Sequence, residues 1–229
     1  MAKQNESETR TSLDDINDQL TGLEQKVQNN QKKIMWGIVA LLAVVCLILI
    51  WIYAVRRPGI EAADNAVGQA DITATLGNDS LALEQYKQVA DNYGYEAGNR
   101  AALNAAILLY NKKEYKEAIS YLEKYSPKES IIGASSQSLM GDCYVNLKDY
   151  DKALGCFRKA AKISDNNPYY TPLFLMKEAT VQRELKNYKA EAALYKEIID
   201  EYPQFAPTNG LDIEKYLKRA EIQTGVSQD

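Results

Sequence analysis

The sequence contains no histidine, which removes Ser-His-Asp triads, most zinc sites and the commonest general base together. It also lacks a glycine-rich phosphate loop and any grouping of residues at metal-ligand spacing. Its carboxylates are scattered along segments where they read as solvated charges, so the expectation is no enzyme, no metal and no cofactor. Cysteine is scarce, with three in the chain. Cys46 lies within an apolar run, whereas Cys143 and Cys156 fall on two predicted helices and read either as a disulfide of an oxidising compartment or as two small buried thiols. Basic charge is not in excess either: beyond Arg57 there are 20 basic and 25 acidic side chains, with the signs interleaved. That balance gives no nucleic-acid footprint and no polybasic patch for a membrane surface.

What the chain does have, first, is one long apolar run. Ile34 to Val55 (IMWGIVALLAVVCLILIWIYAV) is 22 residues without a charge, about 33 Å as a helix and therefore matched to the hydrocarbon core of a bilayer. Trp36, Trp51 and Tyr53 near its ends suit the interfacial belts. A cleaved signal would have a short basic start and an apolar core of about 7–15 residues. Here 33 residues precede the run and Arg56-Arg57-Pro58 follows it, which predicts an uncleaved anchor. Lys26, Lys32 and Lys33 before the run against Arg56 and Arg57 after it tilt the orientation by one charge toward an N-terminus in the cytoplasm.

Ahead of the anchor, Leu13, Ile16, Leu20, Leu23 and Val27 alternate spacings of three and four, and Asn30 and Ile34 continue the register. This is an a/d seam, readable as a short coiled coil that pairs two copies or docks on another helix, or as a solvated amphipathic helix leading into the anchor. Ser12 followed by Asp15 marks its start. Residues 1–9 have the composition of a disordered tail.

The second feature is repetition. KEYKEAISYLEKY (113–125), KDYDKALGCFRKA (148–160) and KNYKAEAALYKEI (186–198) each place a Tyr two residues after a Lys. Within them Tyr115, Ala118 and Leu122, then Tyr150, Ala153 and Phe157, keep helical spacing, and a small residue stands 12 positions before each central Ala, at Ala106 and Gly141. The pattern Gly141, Tyr144, Leu147, Tyr150, Ala153, Phe157, Ala160 resembles the tetratricopeptide repeat, whose paired antiparallel helices need small residues at their crossing. A third unit, about 172–205, is degenerate: Ala179, Leu185, Tyr188, Tyr195 and Pro203 fit, but Glu191 replaces the central Ala. A one-position shift onto Ala192 and looser packing are expected there, and Asn166 to Pro172 is expected to hold the extra residues as a turn. Ala82, Tyr86 and Val89 read as the second helix of a decayed repeat whose first helix is Ile60 to Thr75. Ile213, Tyr216, Leu217 and Ala220 give the apolar face of a terminal cap, as an open stack requires.

The expected fold is all-α: a single N-terminal transmembrane helix followed by a tetratricopeptide-repeat α-solenoid of about three repeats plus a capping helix. Residues 1–33 form the tail with the heptad helix, 34–55 the anchor, 56–98 a linker helix and degenerate repeat, 99–205 the repeats and 206–229 the cap and tail. In proteins of this kind the first helix of each pair lines the concave face where peptides bind. The resemblance thereby implies a groove of Asn104, Ile107, Tyr110 and Asn111 from the first unit, Leu139, Asp142 and Asn146 from the second, and Thr180 and Arg183 from the third. Leu103 and Ile107 stand where members that clamp acidic C-terminal tails carry charged or amide residues.

Across Asn78 to Gly225 the segments EYKEA, YLEKYSPK, GDCYVNLKDYDKAL and IEKYLKRA resemble those of YfgM-like tetratricopeptide membrane proteins of the Bacteroidota. That resemblance implies a type II anchor in the bacterial inner membrane with the repeats in the periplasm. It also implies association with the Sec translocon and its membrane chaperones, and a chaperone-like hold on exported polypeptides. Asp79-Ser80-Leu81 matches the short O-glycosylation motif of exported proteins in that phylum. A scaffold for envelope assembly or division, dimerised through the heptads, is the alternative.

Overall fold

The computed structural model describes Gln28 and residues 30–225, and all regular structure among them is helical. The heptad register from Leu13 to Val27 lies outside the described residues. The chain divides into two compact units, residues 1–59 and 60–229.

In the first unit, helix α1 runs from Gln31 to Trp51 and is followed by a π-helical turn, Ile52–Arg56. Every large apolar side chain of α1 is exposed, including Leu41, Leu47 and Ile50 at 60 % or more. The helix is long and apolar enough to cross a membrane by length and composition. The widened turn comes just ahead of Pro58, which has no N–H to return to the carbonyl four residues back, a break that one π turn accommodates. Arg57 lays its guanidinium over the Tyr53 ring, 4.5 Å from the centroid.

The second unit is a stack of helix pairs, whose first helix begins three residues before the unit does. Helices α2 (Arg57–Thr75), α3 (Asp79–Asn92), α4 (Glu96–Asn111), α5 (Tyr115–Lys124), α6 (Ser130–Asn146), α7 (Tyr150–Ile163), α8 (Tyr170–Glu184) and α9 (Tyr188–Glu201) alternate as first and second members of four pairs. A four-residue turn of helix, α10 (Phe205–Thr208), leads to α11 (Ile213–Thr224). From α3 to α9 each helix packs on the next, and α9 packs on α11; the first members also touch one another, α4 on α6 and α6 on α8, while Arg100 of α4 pairs with Asp71 of α2. The first members thus form one continuous layer.

One turn recurs within all four pairs. The first helix ends in a residue of left-handed conformation, Gly77 (φ 79°), Lys113 (64°), Lys148 (61°) and Lys186 (58°). The following N–H reaches back five residues, as from Glu114 to the Leu109 carbonyl and from Asp149 to that of Tyr144, both 2.9 Å. That is a Schellman stop. In three of the four, the same residue then caps the next helix with its side chain: Asn78 accepts from Leu81 N–H, Asp149 from Lys152 and Asn187 from Ala190. The Lys-x-Tyr signature is therefore the trace of a helix stop and a helix start two residues apart.

Small residues let the two helices of each pair close. Aligned on the turn, the first helices carry Ala70, Ala106, Gly141 and Ala179, and the second carry Ala82, Ala118 and Ala153, all buried. At Gly141 a Cβ would lie 2.6 Å from the Phe157 ring, so only glycine admits that ring. The chain's three phenylalanines, Phe157, Phe174 and Phe205, are all at least 96 % buried and fill the space between successive pairs in the C-terminal half. The upstream core is instead built on an alanine face of α4, Ala97, Ala101, Ala102, Ala105 and Ala106.

The fourth pair departs from the sequence expectation. The register does not shift to Ala192, which stays half-buried; Glu191 itself occupies the crossing with no exposure. It is tolerated because Arg219 of α11 reaches back and donates to Glu191 Oε1 at 2.6 Å. A buried carboxylate without such a partner would carry an uncompensated desolvation cost. The extra residues before this pair do form a turn, with Asp165 and Asn166 left-handed and Asn167 Oδ1 accepting from the N–H groups of Tyr169 and Tyr170. The turn ends earlier than expected, since Tyr170 to Pro172 already belong to α8.

Candidate peptide-binding groove

The layer of first helices, α2, α4, α6 and α8, carries the residues expected to line a groove. Six residues before each left-handed turn residue stand Asp71, Ile107, Asp142 and Thr180, one from each helix, so a column of equivalent positions crosses the layer. Around it the side chains fall into two polar clusters with an apolar position between them.

The first cluster centres on Asp71. Arg100 donates to its Oδ2 at 2.8 Å, Tyr86 donates its hydroxyl to Oδ1 at 2.7 Å, and the Asn104 amide stands 3.5 Å from the same oxygen. Burial, then the hydrogen bond to Asp71, pushes the Tyr86 hydroxyl up to about 12. It therefore stays a donor across the physiological range. The second cluster centres on Asp142, half-buried, which pairs with Lys177 at 2.5 Å. Burial raises the Asp142 carboxyl above the usual carboxylate range, with Lys177 opposing. Tyr110 stands close enough for Asp142 to add to the upward push that burial gives its hydroxyl. Its ring meets Tyr115 edge-on at 5.6 Å.

Of the expected groove residues, the structure brings Tyr110, Asp142 and Asn146 together, with Asn146 donating to the Asp142 carbonyl at 2.8 Å. Asn104 joins the Asp71 cluster, and Ile107 lies between the two, 41 % exposed. Asn111 is exposed at the last turn of α4, and Leu139 is half-buried against the core. Thr180 is exposed and returns its hydroxyl to the Met176 carbonyl, while Arg183 is 4.0 Å from its neighbour Glu184. These last two residues are not drawn into either cluster. Sequence reasoning missed Asp71, Arg100 and Lys177. A signal was present: Asp71 precedes Gly77 by the interval that separates Asp142 from Lys148, and aligning the decayed repeat on its glycine would have found it.

Both cysteines of the third pair are free and buried, and burial pushes the Cys143 thiol up to about 12. Such a thiol is a packing group with little nucleophilic character at neutral pH. Ser80, exposed on the first turn of α3, accepts from Lys112 at 3.0 Å. Among the described residues no group of three or more Cys, Asp and Glu is placed to hold a metal ion.

Comparison with known proteins agrees with the fold. Three family models, each described as a tetratricopeptide repeat, match residues 67–129, 134–167 and 174–204. No curated protein matches the chain. Among solved structures, MamA from Desulfovibrio magneticus RS-1 is 16 % identical with a TM-score of 0.52, over 62 % of this chain and 76 % of its own. Another crystal structure of MamA is 17 % identical at 0.53, over 71 % and 92 %. YrrB, described as a TPR protein with an unusual peptide-binding site, is 14 % identical at 0.53, over 70 % and 76 %. At these identities the likeness is one of fold. Repeat models, helix pairs and recurring turns converge: the chain is a tetratricopeptide-repeat protein.

Proposed function

We propose that this is a membrane-anchored interaction protein whose groove holds polypeptide segments, serving as an accessory or chaperone-like subunit beside the Sec translocon. Tetratricopeptide repeats act in protein–protein interaction, and the observation that carries the groove reading is the column Asp71, Ile107, Asp142, Thr180, set on adjacent first helices with polar clusters flanking an exposed isoleucine. The 21-residue α1 would supply the anchor, and the YfgM-like resemblance supports the inner membrane, an N-terminus in the cytoplasm and repeats in the periplasm. Tethering raises effective concentration, so a weak groove suffices.

The test is in-cell cross-linking followed by affinity purification in mild detergent through a tag at Asp229. Translocon subunits and membrane chaperones are the expected partners. Recovery of division or envelope-assembly proteins without translocon would replace this reading by the scaffold.

A further inference from the structure

We propose that the groove selects extended segments free of acidic side chains, held by aliphatic contacts and backbone amides, and that two ion pairs inside the groove enforce the choice. This rests on the reading of the groove as a peptide site. From Ile60 onward the four first helices contain three basic side chains, Arg100, Lys177 and Arg183. Arg100 is held by Asp71 at 2.8 Å, Lys177 by Asp142 at 2.5 Å, and Arg183 lies beside Glu184. An incoming carboxylate thus finds both cations that flank Ile107, Arg100 and Lys177, already engaged. To gain one it must break a pair and leave Asp71 or Asp142, the latter already disfavoured by burial as an anion, without its counter-charge. Leaving a competitor's charge without a partner is an effective route to specificity.

Between the two pairs the groove offers neutral chemistry. Ile107 presents an exposed aliphatic side chain, Asn104 and Asn111 from the same helix carry amides able to donate to and accept from a peptide backbone, and Thr180 is exposed further along the column. A segment alternating aliphatic with small polar residues matches that order. A basic segment gains little, because both groove carboxylates are already neutralised.

The experiment measures fluorescence anisotropy of the full chain in mild detergent with three labelled peptides of about twelve residues. One alternates serine with leucine or valine, and the other two replace alternate serines by aspartate or by lysine. The neutral peptide should bind at least tenfold more tightly than the acidic one. The isosteric pair Asp71→Asn with Asp142→Asn, which frees Arg100 and Lys177, should raise affinity for the acidic peptide about tenfold. Circular dichroism would verify that this variant retains its helices; should it unfold, Arg100→Gln with Lys177→Gln is the counterpart, expected to leave the neutral preference in place. Preference of the natural chain for the acidic or the basic peptide overturns the selectivity and leaves the groove standing. Failure of all three to bind overturns the groove itself.

Discussion

The third and fourth helix pairs solve one packing problem in opposite ways. In the third, Gly141 and Ala153 bring α6 and α7 together, and the Phe157 ring fills the space a Cβ would need. In the fourth, Ala179 faces Glu191, a carboxylate with no exposure, and Tyr195 stands where Phe157 stands. The third pair is closed by shape, with no charge at its crossing, and Phe157 packs onward against Val181 of α8. The fourth is closed by charge: Glu191 needs Arg219, and Arg219 lies on α11. The last repeat thus names its own cap, and the cation that meets the buried charge is the one that ends the stack.

The largest effect expected from this contrast is at Arg219. Arg219→Ala should cost about 2–4 kcal/mol in urea unfolding, below the top of the range for a broken buried pair because the guanidinium is partly exposed. Adding Glu191→Ala, which restores the alanine found in the other pairs, should recover most of that loss. If the double variant is no more stable than the single, charge does not define the cap.

Next comes the shape-closed crossing. Gly141→Ala drives a methyl group into the Phe157 ring and should cost about 1–3 kcal/mol as overpacking. Phe157→Leu in the same chain should relieve part of it, a coupling that a double-mutant cycle measures.

A smaller contrast appears at high pH. Burial, reinforced by Glu191, holds the Tyr195 hydroxyl above the ordinary tyrosine value. The unfolded chain therefore releases this proton first, near pH 10, and stability falls as pH rises from there toward the folded value. Tyr195→Phe, which copies the third pair, should make that alkaline decline shallower in thermal melts.

Smallest is the turn. Lys148 holds a left-handed conformation that costs a residue with a Cβ about 1 kcal/mol, part of which the greater freedom of glycine in the unfolded chain cancels. Lys148→Gly should stabilise by about 0.5 kcal/mol, and a loss of stability would mean that the lysine side chain contributes in place.

These elements also mark what the sequence made legible. The all-α repeat stack and the small residues at Ala106 and Gly141 followed from the spacing of Lys, Tyr and Ala, because each pair imposes the same local geometry. The left-handed lysines did not, since nothing in their chemistry favours that conformation; the Schellman bonds around them do. The shift to Ala192 was expected because a buried carboxylate is costly, and its compensation lies 28 residues away on another helix. Of the two polar clusters on the layer of first helices, part was legible. Asn104 and Asp142 were reached from the repeat pattern, whereas Asp71 sits in the pair most decayed from that pattern, and Arg100 and Lys177 enter only through their partners on neighbouring helices.

In the function proposed above, polypeptides are held on the layer of first helices. Site-specific photo-cross-linking in cells tests it most directly, with the reactive side chain placed at Ile107 in the groove and, for comparison, at the exposed Glu123 on the second-helix side. Cross-linked polypeptides are expected from Ile107 and few from Glu123. Equal yields from both positions, or adducts from Glu123 alone, would contradict it.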